Sequence, residues 1–188
     1  MSRFPSLPER PVLADVFKRF PRVVAPLFEY HDLLLRGPSP LSIAQRELIA
    51  AFVSALNSCG YCAGAHRSIA EIHGIAPETL DALLAGSEGA DVDPKLRPIL
   101  AYVRKLTLSP SKVIDADAQA VFAAGWDEEA LFHAISVCGL FNLMNRIVEG
   151  CAIRSDTEVL AEQRSRHTAL MDDPHPYQTF GRRLGVIP

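Results

Sequence analysis

The sequence lacks a large excess of charge of either sign. Its 188 residues include 19 Lys and Arg and 22 Asp and Glu, for a formal net charge of -3 and a pI near 6.1. This balance carries no electrostatic signature of a protein that binds nucleic acid or an anionic membrane surface. Hydrophobic residues make up 48% of the chain and charged residues 22%, as in an ordinary soluble globular protein.

The sequence also lacks long apolar runs. None reaches the roughly 18 residues that a membrane-spanning helix requires. The first eleven residues, MSRFPSLPERP, have no apolar core of the kind found in secretory signals. We therefore predict a cytoplasmic protein that does not associate with a membrane.

Cysteine is sparse. Cys59, Cys62, Cys138 and Cys151 are too few for a scaffold held together by disulfides. In a cytosolic chain of this size a Cys-x-x-Cys pair is more often catalytic or metal-binding than structural. Cys138 and Cys151 lie in apolar stretches, and we expect them to be small buried side chains.

Strand patterns are missing, because no segment alternates apolar and polar residues between turn signals. Helical periodicity and end signals instead predict an all-α fold. The predicted helices cover about 12–20, 21–36, 42–57, 59–73, 77–84, 93–106, 115–123, 128–150 and 156–170. We interpret 1–188 as a single helical domain with an extended N-terminal arm at 1–11. Its C-terminal tail, 171–188, contains too many helix breakers to form a helix.

The most informative stretch is ELIAAFVSALNSCGYCAGAH, from Glu47 to His66. If a helix begins near Cys59, both Cys59 and Cys62 lie in its first turn, where free N–H groups and the helix dipole favour a thiolate. Residues three apart on a helix are neighbours, so the pair could form a disulfide. His66 lies one turn beyond Cys62 on the same face and could accept the thiol proton.

Glu47 is connected to this group by helix geometry. It precedes the bend near Asn57 by about as many residues as His66 follows it, so an antiparallel hairpin places the two at similar depth. A carboxylate there would orient the His66 ring. The sequence thus predicts a relay from Glu47 through His66 to the two thiols; the alternative is that Glu47 is a solvated helix residue.

Two further groups of polar residues, the candidate zinc ligands and the asparagines of a long apolar segment, can be interpreted either as functional or as structural. A zinc site would need a fourth ligand besides Cys59, Cys62 and His66, which Cys138, Cys151 or His73 could supply, but the ligand spacing typical of zinc sites is missing. Asn142 and the pair Asn145-Arg146 lie on a long apolar segment. They could line the thiol pocket, although a structural hydrogen-bond network at a helix crossing is the more ordinary interpretation.

The constellation of Glu47, Cys59, Cys62 and His66 resembles the AhpD-like alkylhydroperoxidases of the carboxymuconolactone decarboxylase superfamily, in particular their peroxidase-related branch. The resemblance implies that Cys62 is the peroxidatic sulfur, that His66 activates it, that Glu47 relays the proton and that Cys59 resolves the disulfide. Where the family's best-known member has a further His, this chain has Tyr61, which could donate a hydrogen bond to a substrate oxygen. The resemblance also implies a trimer or hexamer.

Three functions are compatible with these residues and with the resemblance. The first is a thiol-dependent peroxidase that needs no metal, haem or flavin, acts on a hydroperoxide and depends on an external thiol reductant. The second is a dithiol–disulfide oxidoreductase or redox sensor without peroxidase turnover. The third is a helical oligomer whose thiols bind a metal. We expect Tyr61 and Asn142 to contact the substrate in the first case.

Overall fold

The structure is a computed structural model that describes residues 2–87 and 89–188. All of its regular elements in those ranges are helices, which confirms the predicted all-α fold. The α-helices are α1 (Leu13–Arg19), α2 (Val24–Arg36), α3 (Ile43–Leu56), α4 (Gly60–Ile72), α5 (Thr79–Leu84), α6 (Leu96–Leu108), α7 (Asp115–Ala123), α8 (Glu128–Gly150), α9 (Thr157–Ala169) and α10 (Pro176–Leu184). Short 3₁₀ turns at Pro21–Val23 and Pro110–Lys112 precede α2 and α7.

The helices begin where side chains can satisfy the free N–H groups of the first turn. Ser42 caps α3 by accepting from the Gln45 N–H, and the Gln45 side chain accepts from the Ser42 N–H. Asp127 and Asp156 cap α8 and α9 in the same way. These capped starts are readable in the sequence because Ser and Asp are favoured at that position.

The core is centred on α3, which packs against α4, α6 and α8. Most of α3 is inaccessible to solvent, and Leu48, Ile49 and Phe52 have at most 2% of their surface exposed. By length and composition α8 could cross a membrane, but half of its most apolar stretch is buried inside the fold. A helix in the core of a soluble protein has the same properties, and α8 packs in that way.

The prediction that 171–188 contains no helix is wrong, because α10 spans Pro176–Leu184. Proline is compatible with the first position of a helix, since no intrahelical partner exists there for its missing N–H. The N–H groups of Tyr177 and Gln178 donate to the two carboxylate oxygens of Asp32, each at 2.9 Å. Asp32 lies on α2 and is 1% exposed, so a residue remote in the sequence caps α10.

Helices α9 and α10 lie over the α2 and α4 surfaces at close range. A Cβ atom at Gly64 of α4 would come within 2.7 Å of the Leu160 side chain of α9. A Cβ atom at Gly181 of α10 would come equally close to the Phe28 ring of α2. Glycine at these two positions allows both C-terminal helices to cover the region around Cys62.

Residues 2–11 contain bends and turns and no helix, and they contact the C-terminal end of α8. The Arg3 guanidinium donates to the backbone oxygens of Glu149 and Gly150. Arg10 pairs with Asp156 at 2.9 Å, although both side chains are largely exposed. The predicted N-terminal arm is therefore placed by contacts with the turn between α8 and α9.

Replacing the carboxylate of Asp32 should detach α10. We expect Asp32→Ala to lower the free energy of unfolding by about 2 kcal/mol, because two buried backbone donors lose their acceptor. Chemical denaturation measures the loss, and hydrogen exchange should show faster exchange of the Tyr177 and Gln178 amides. Asp172→Ala, at an exposed position nearby, is the matched control; equal stability of the two variants would contradict the assigned cap.

Candidate active site

The α3–α4 hairpin places both cysteines at the mouth of α4. Cys59 is the N-cap residue of α4, and Cys62 lies in its first turn, as predicted. The connection is tight: Ser58 has a positive φ of 57°, and the Cys59 N–H donates to the Ser54 carbonyl at 2.9 Å. The backbone of the hairpin therefore fixes the positions of both sulfurs.

The two thiols are free and shielded from solvent. Cys59 is 0% exposed and Cys62 is 5% exposed. A hydrogen bond from Cys62, which outweighs the effect of burial, lowers the pKa of the Cys59 thiol. The same bond and then burial raise the pKa of Cys62. The pair therefore loses its first proton readily and retains the second, as expected for two coupled acids that share a proton.

A buried triad of charged and polar groups lies behind this pair. Arg36 Nη1 donates to Glu47 Oε1 at 2.5 Å, and His66 Nδ1 donates to Glu47 Oε2 at 2.6 Å. The side chain of Glu47 is 0% exposed, so the alternative of a solvated helix residue is wrong. Burial raises the pKa of Glu47, but the Arg36 guanidinium and His66 together outweigh it, and the pKa lies well below its ordinary value. Glu47 is therefore ionised.

This ion pair determines which ring nitrogen of His66 can act on a ligand. An ionised carboxylate only accepts hydrogen bonds, so His66 Nδ1 must carry the proton that it donates to Glu47. In the neutral ring Nε2 is then left as the acceptor. The ring is held further by an edge-to-face contact with Phe141, with the two centroids 4.3 Å apart.

His66 and Cys62 face a common cavity. Among the described residues, no hydrogen bond joins the His66 ring directly to either sulfur, so the structure does not show the imidazole taking the thiol proton directly. Both side chains instead line a cavity of about 210 Å³, and Cys62 is the one described cysteine in its wall. Cys59 is not among the residues that line this space. A small molecule in the cavity would meet Cys62 and His66 together.

The walls of the cavity come mainly from helices outside the sequence motif. Its lining includes apolar side chains of α1, α2, α8, α9 and α10, among them Phe17, Phe28, Met144, Val159, Leu170 and Phe180. Polar groups are contributed by Tyr61 and by residues of α2, α9 and α10. Tyr61 thus lies where substrate contact is predicted, and burial raises the pKa of its hydroxyl to about 12.

A network of amides connects the end of α3 with α8. Asn57 Nδ2 donates to the side-chain oxygens of Asn142 and Asn145, at 3.1 and 2.9 Å. Asn145 Nδ2 donates to Ser54 Oγ at 2.9 Å, and Asn145 also hydrogen-bonds Cys62, which lowers the pKa of that thiol against the larger raising effects. Asn142 lies in this network and not in the cavity wall. These bonds fit the more ordinary interpretation of the sequence, a structural network at a helix crossing, and contact of Asn142 with substrate stays a prediction.

The structure also gives the positions of the remaining cysteines and of the candidate zinc ligands. Cys138 is 1% exposed and hydrogen-bonds Thr107, so it is a buried side chain as predicted. Cys151 is partly exposed at the end of α8. Within 2–87 and 89–188, no three His, Cys, Asp or Glu side chains come together in a group that could hold a metal ion. A zinc site built on Cys59, Cys62 and His66 therefore has no ligand set in the described structure.

Two members of the site make contacts that the local sequence pattern does not reveal. Arg36 ends α2 and is separated from Glu47 by eleven positions and the Gly37-Pro38-Ser39-Pro40 break, so nothing in the motif indicates the contact. Its side chain is only 5% exposed, which an arginine tolerates when it is paired. Asn145 stands out as a polar residue on an apolar helix, but its contact with Cys62 depends on how α8 crosses the hairpin.

The part of the chain that carries the thiol pair, His66 and Glu47 also matches a known protein family. Residues 21–105 match the family model described as Carboxymuconolactone decarboxylase family, a segment that includes α2, the whole hairpin and most of α6. The chain is 28% identical over 109 residues to the uncharacterized protein YdfG of Bacillus subtilis (strain 168). That match covers 58% of this chain and 74% of the relative.

Two solved structures share the fold. An uncharacterized peroxidase-related protein from Silicibacter sp. TM1040 superposes with a TM-score of 0.66 and 26% identity, over 72% of this chain and 71% of the other. A peroxidase-related protein from Ralstonia eutropha JMP134, described as an alkylhydroperoxidase AhpD core, gives a TM-score of 0.72 and 27% identity, over 80% and 79% of the two chains.

These similarities and the helical architecture define an AhpD-like fold. The resemblance inferred from the motif is confirmed: the chain is similar to the carboxymuconolactone decarboxylase family over residues 21–105 and to solved proteins described as peroxidase-related.

The charge of Glu47 should be essential to stability. We expect Glu47→Gln to lower the free energy of unfolding by about 3–5 kcal/mol, because the buried Arg36 guanidinium then has no counter-charge. Chemical denaturation measures this, with Glu78→Gln at the surface as control. The double variant Arg36→Met/Glu47→Gln should recover part of the loss; if it is no more stable than Glu47→Gln, the pair is not the cause.

The same ion pair gives stability a pH dependence of defined sign. The pKa of Glu47 in the folded protein lies below its ordinary value of 4.5, so the unfolded state takes up the proton first as pH falls. The stabilisation is complete above about pH 4.5 and is lost progressively at lower pH. Glu47→Gln should flatten this acid limb of the stability curve.

Proposed function

We propose that the protein is a thiol-dependent peroxidase that reduces hydroperoxides through Cys62 and a Cys59–Cys62 disulfide. The observation that carries the proposal is the cavity in which Cys62 lies beside His66, whose ring is oriented by the buried Glu47–Arg36 pair. A nucleophile, an oriented base and a space for substrate are the parts that this chemistry needs.

We assign the reacting sulfur as the one that a peroxide in the cavity can reach. The pKa of Cys59 is the lowered one of the pair, yet Cys59 is 0% exposed and does not line the cavity. Cys62 does line it. A proton shift along the hydrogen bond between the sulfurs, from Cys62 to Cys59, places the negative charge on Cys62. The first ionisation of the pair thus supplies the nucleophile at the accessible position.

The reaction then proceeds by oxidation of Cys62, formation of the disulfide and reduction by an external dithiol. The Cys62 thiolate attacks the terminal peroxide oxygen, the O–O bond breaks, and the leaving alkoxide takes a proton to become an alcohol, with His66 Nε2 positioned to mediate the proton transfer. Cys62 becomes a sulfenic acid. The Cys59 thiol condenses with it, releasing water and forming the disulfide. An external dithiol returns two electrons and two protons to regenerate the pair.

The second candidate, a dithiol oxidoreductase or redox sensor, places different demands on the site. Its sulfurs must be reached by the disulfide of another molecule, whereas here both lie almost wholly below the surface. Stopped-flow oxidation distinguishes the candidates. We expect cumene hydroperoxide to oxidise the reduced protein faster than a bulky aromatic disulfide reagent; the opposite order favours the second candidate.

The proposed assembly is a trimer or hexamer, as the resemblance implies. Large apolar side chains on the surface support association, since Val23, Leu33 and Phe132 are 65%, 61% and 71% exposed. Isolated exposed apolar residues are ordinary, but burial on association would stabilise an oligomer. Light scattering coupled to size exclusion gives the subunit number directly. A cytoplasmic location remains a prediction.

A further inference from the structure

The cavity contains a buried hydrogen-bond acceptor that the protein leaves unused. Gln163 of α9 lines the cavity and is 4% exposed. Within the described part of the chain, its Oε1 has no hydrogen-bond partner. The same side chain hydrogen-bonds the Tyr61 hydroxyl. Buried polar atoms are almost always paired in folded proteins, so an unpaired acceptor on a side chain that lines a cavity points to a ligand that would pair with it.

A second unpaired group lies in the same wall. The Tyr177 hydroxyl of α10 is buried and likewise lacks a partner among the described residues. The ring itself is held in place: its centroid lies 4.8 Å from that of His31, and the Arg36 guanidinium carbon lies 5.9 Å from it. The hydroxyl is thus on a fixed ring and can either donate or accept a hydrogen bond.

Two further imidazoles and one pair of opposite charges also belong to the lining. Burial lowers the pKa of His31 to about 4 and that of His167 to about 3, so both rings are neutral near pH 7. Glu162 and Arg166 also line the cavity, with opposite charges. These four side chains together favour neither an anion nor a cation, and the many apolar side chains of the lining favour a molecule with an apolar body.

We propose that the organic part of the hydroperoxide is neutral and carries its own O–H or N–H donor, which binds to Gln163 Oε1. This inference rests on the proposed peroxidase function and narrows its substrate class. Gln163 and Tyr177 are binding residues, distinct from the thiols and His66. A hydroxyl on the substrate that donates to Gln163 Oε1 would satisfy this acceptor, and the Tyr177 hydroxyl in the same wall is available to a further polar atom of the substrate.

The test compares three unreactive probes of nearly the same size by calorimetric titration of the reduced wild-type protein. They are 4-methylphenol, which has a donor; 4-methylanisole, which has the same oxygen without a donor; and 4-methylbenzoate, which is an anion. We expect 4-methylphenol to bind about tenfold more tightly than 4-methylanisole, the difference expected from one buried hydrogen bond. Equal affinities, or tightest binding of 4-methylbenzoate, would overturn the proposal.

Variants show which residues cause the preference for 4-methylphenol over 4-methylanisole. Gln163→Leu should remove most of this preference, and Tyr177→Phe should reduce it. The matched surface variants Gln119→Leu and Tyr30→Phe should preserve it. If Gln163→Leu kept the full preference for 4-methylphenol, the assignment of Gln163 Oε1 as the acceptor would be overturned. If Gln163→Leu does not fold, the comparison of probes on the wild type and on Tyr177→Phe still decides the question.

The same titrations separate this inference from the peroxidase proposal, because binding of the probes does not use the sulfurs. Donor-dependent binding without peroxide consumption would support the Gln163 site and overturn the peroxidase. Peroxide consumption without a preference for 4-methylphenol would support the peroxidase and overturn the substrate class.

Discussion

Replacing Cys62 by serine should abolish peroxide consumption, with a loss on the order of 10⁴-fold or more in the rate of thiol oxidation. Cys62 is the cysteine that lines the cavity, whereas Cys59 does not line it and has no exposed surface. A serine hydroxyl at position 62 is a much weaker nucleophile than a thiolate at neutral pH. The remaining thiol, Cys59, cannot be reached by the peroxide.

Cys59→Ser provides the informative contrast. This variant should react once with peroxide at Cys62 and then stop as the sulfenic acid, which a dimedone label detects by mass. Cys151→Ser, which removes a thiol outside the pair, should behave as the wild type. Equal residual turnover in Cys59→Ser and Cys62→Ser would contradict the assigned order of the two sulfurs.

The second large effect is expected at His66. We predict that His66→Ala slows the oxidation of Cys62 by about 10²–10⁴-fold, the usual contribution of a positioned acid or base. The ring is 8% exposed, accepts its orientation from Glu47 and lines the cavity beside Cys62. Its loss should also change the dependence of the rate on pH, which stopped-flow fluorescence or peroxide consumption across about pH 5–9 would record.

A structural defect would not give the same pattern. His175→Ala, at an exposed position, controls for the loss of an imidazole. If His66→Ala merely loosened the fold, the rates with iodoacetamide and with peroxide would change together. The proposed function requires the peroxide rate to fall while alkylation of the thiols continues; an unchanged peroxide rate would remove His66 from the mechanism.

Local sequence patterns reveal the contacts between residues that are close in the chain. The hairpin, its caps and the pairing of Glu47 with His66 all follow from helical periodicity and the known rise per residue, because they depend on residues fewer than about twenty positions apart. The burial of Glu47 does not follow, since it depends on Arg36 arriving from α2.

The wrong prediction for residues 171–188 has the same origin. Helix α10 is hidden in the sequence because its first N–H groups are capped by Asp32, some 145 positions earlier. The hydrogen bonds of Asn142 do not follow from the sequence either, because periodicity identifies an apolar helix without fixing which face meets the hairpin. The cavity itself cannot be predicted, since α9 and α10 form much of its wall only after they fold back over α4 and α2.

The most direct measurement of the central claim is the state of the sulfurs after one equivalent of cumene hydroperoxide is added to the fully reduced protein. Peptide mass mapping should find a Cys59–Cys62 disulfide within the time of peroxide consumption, with Cys138 and Cys151 still reduced. Peroxide that is not consumed, or oxidation that falls mainly on Cys151, would contradict the account.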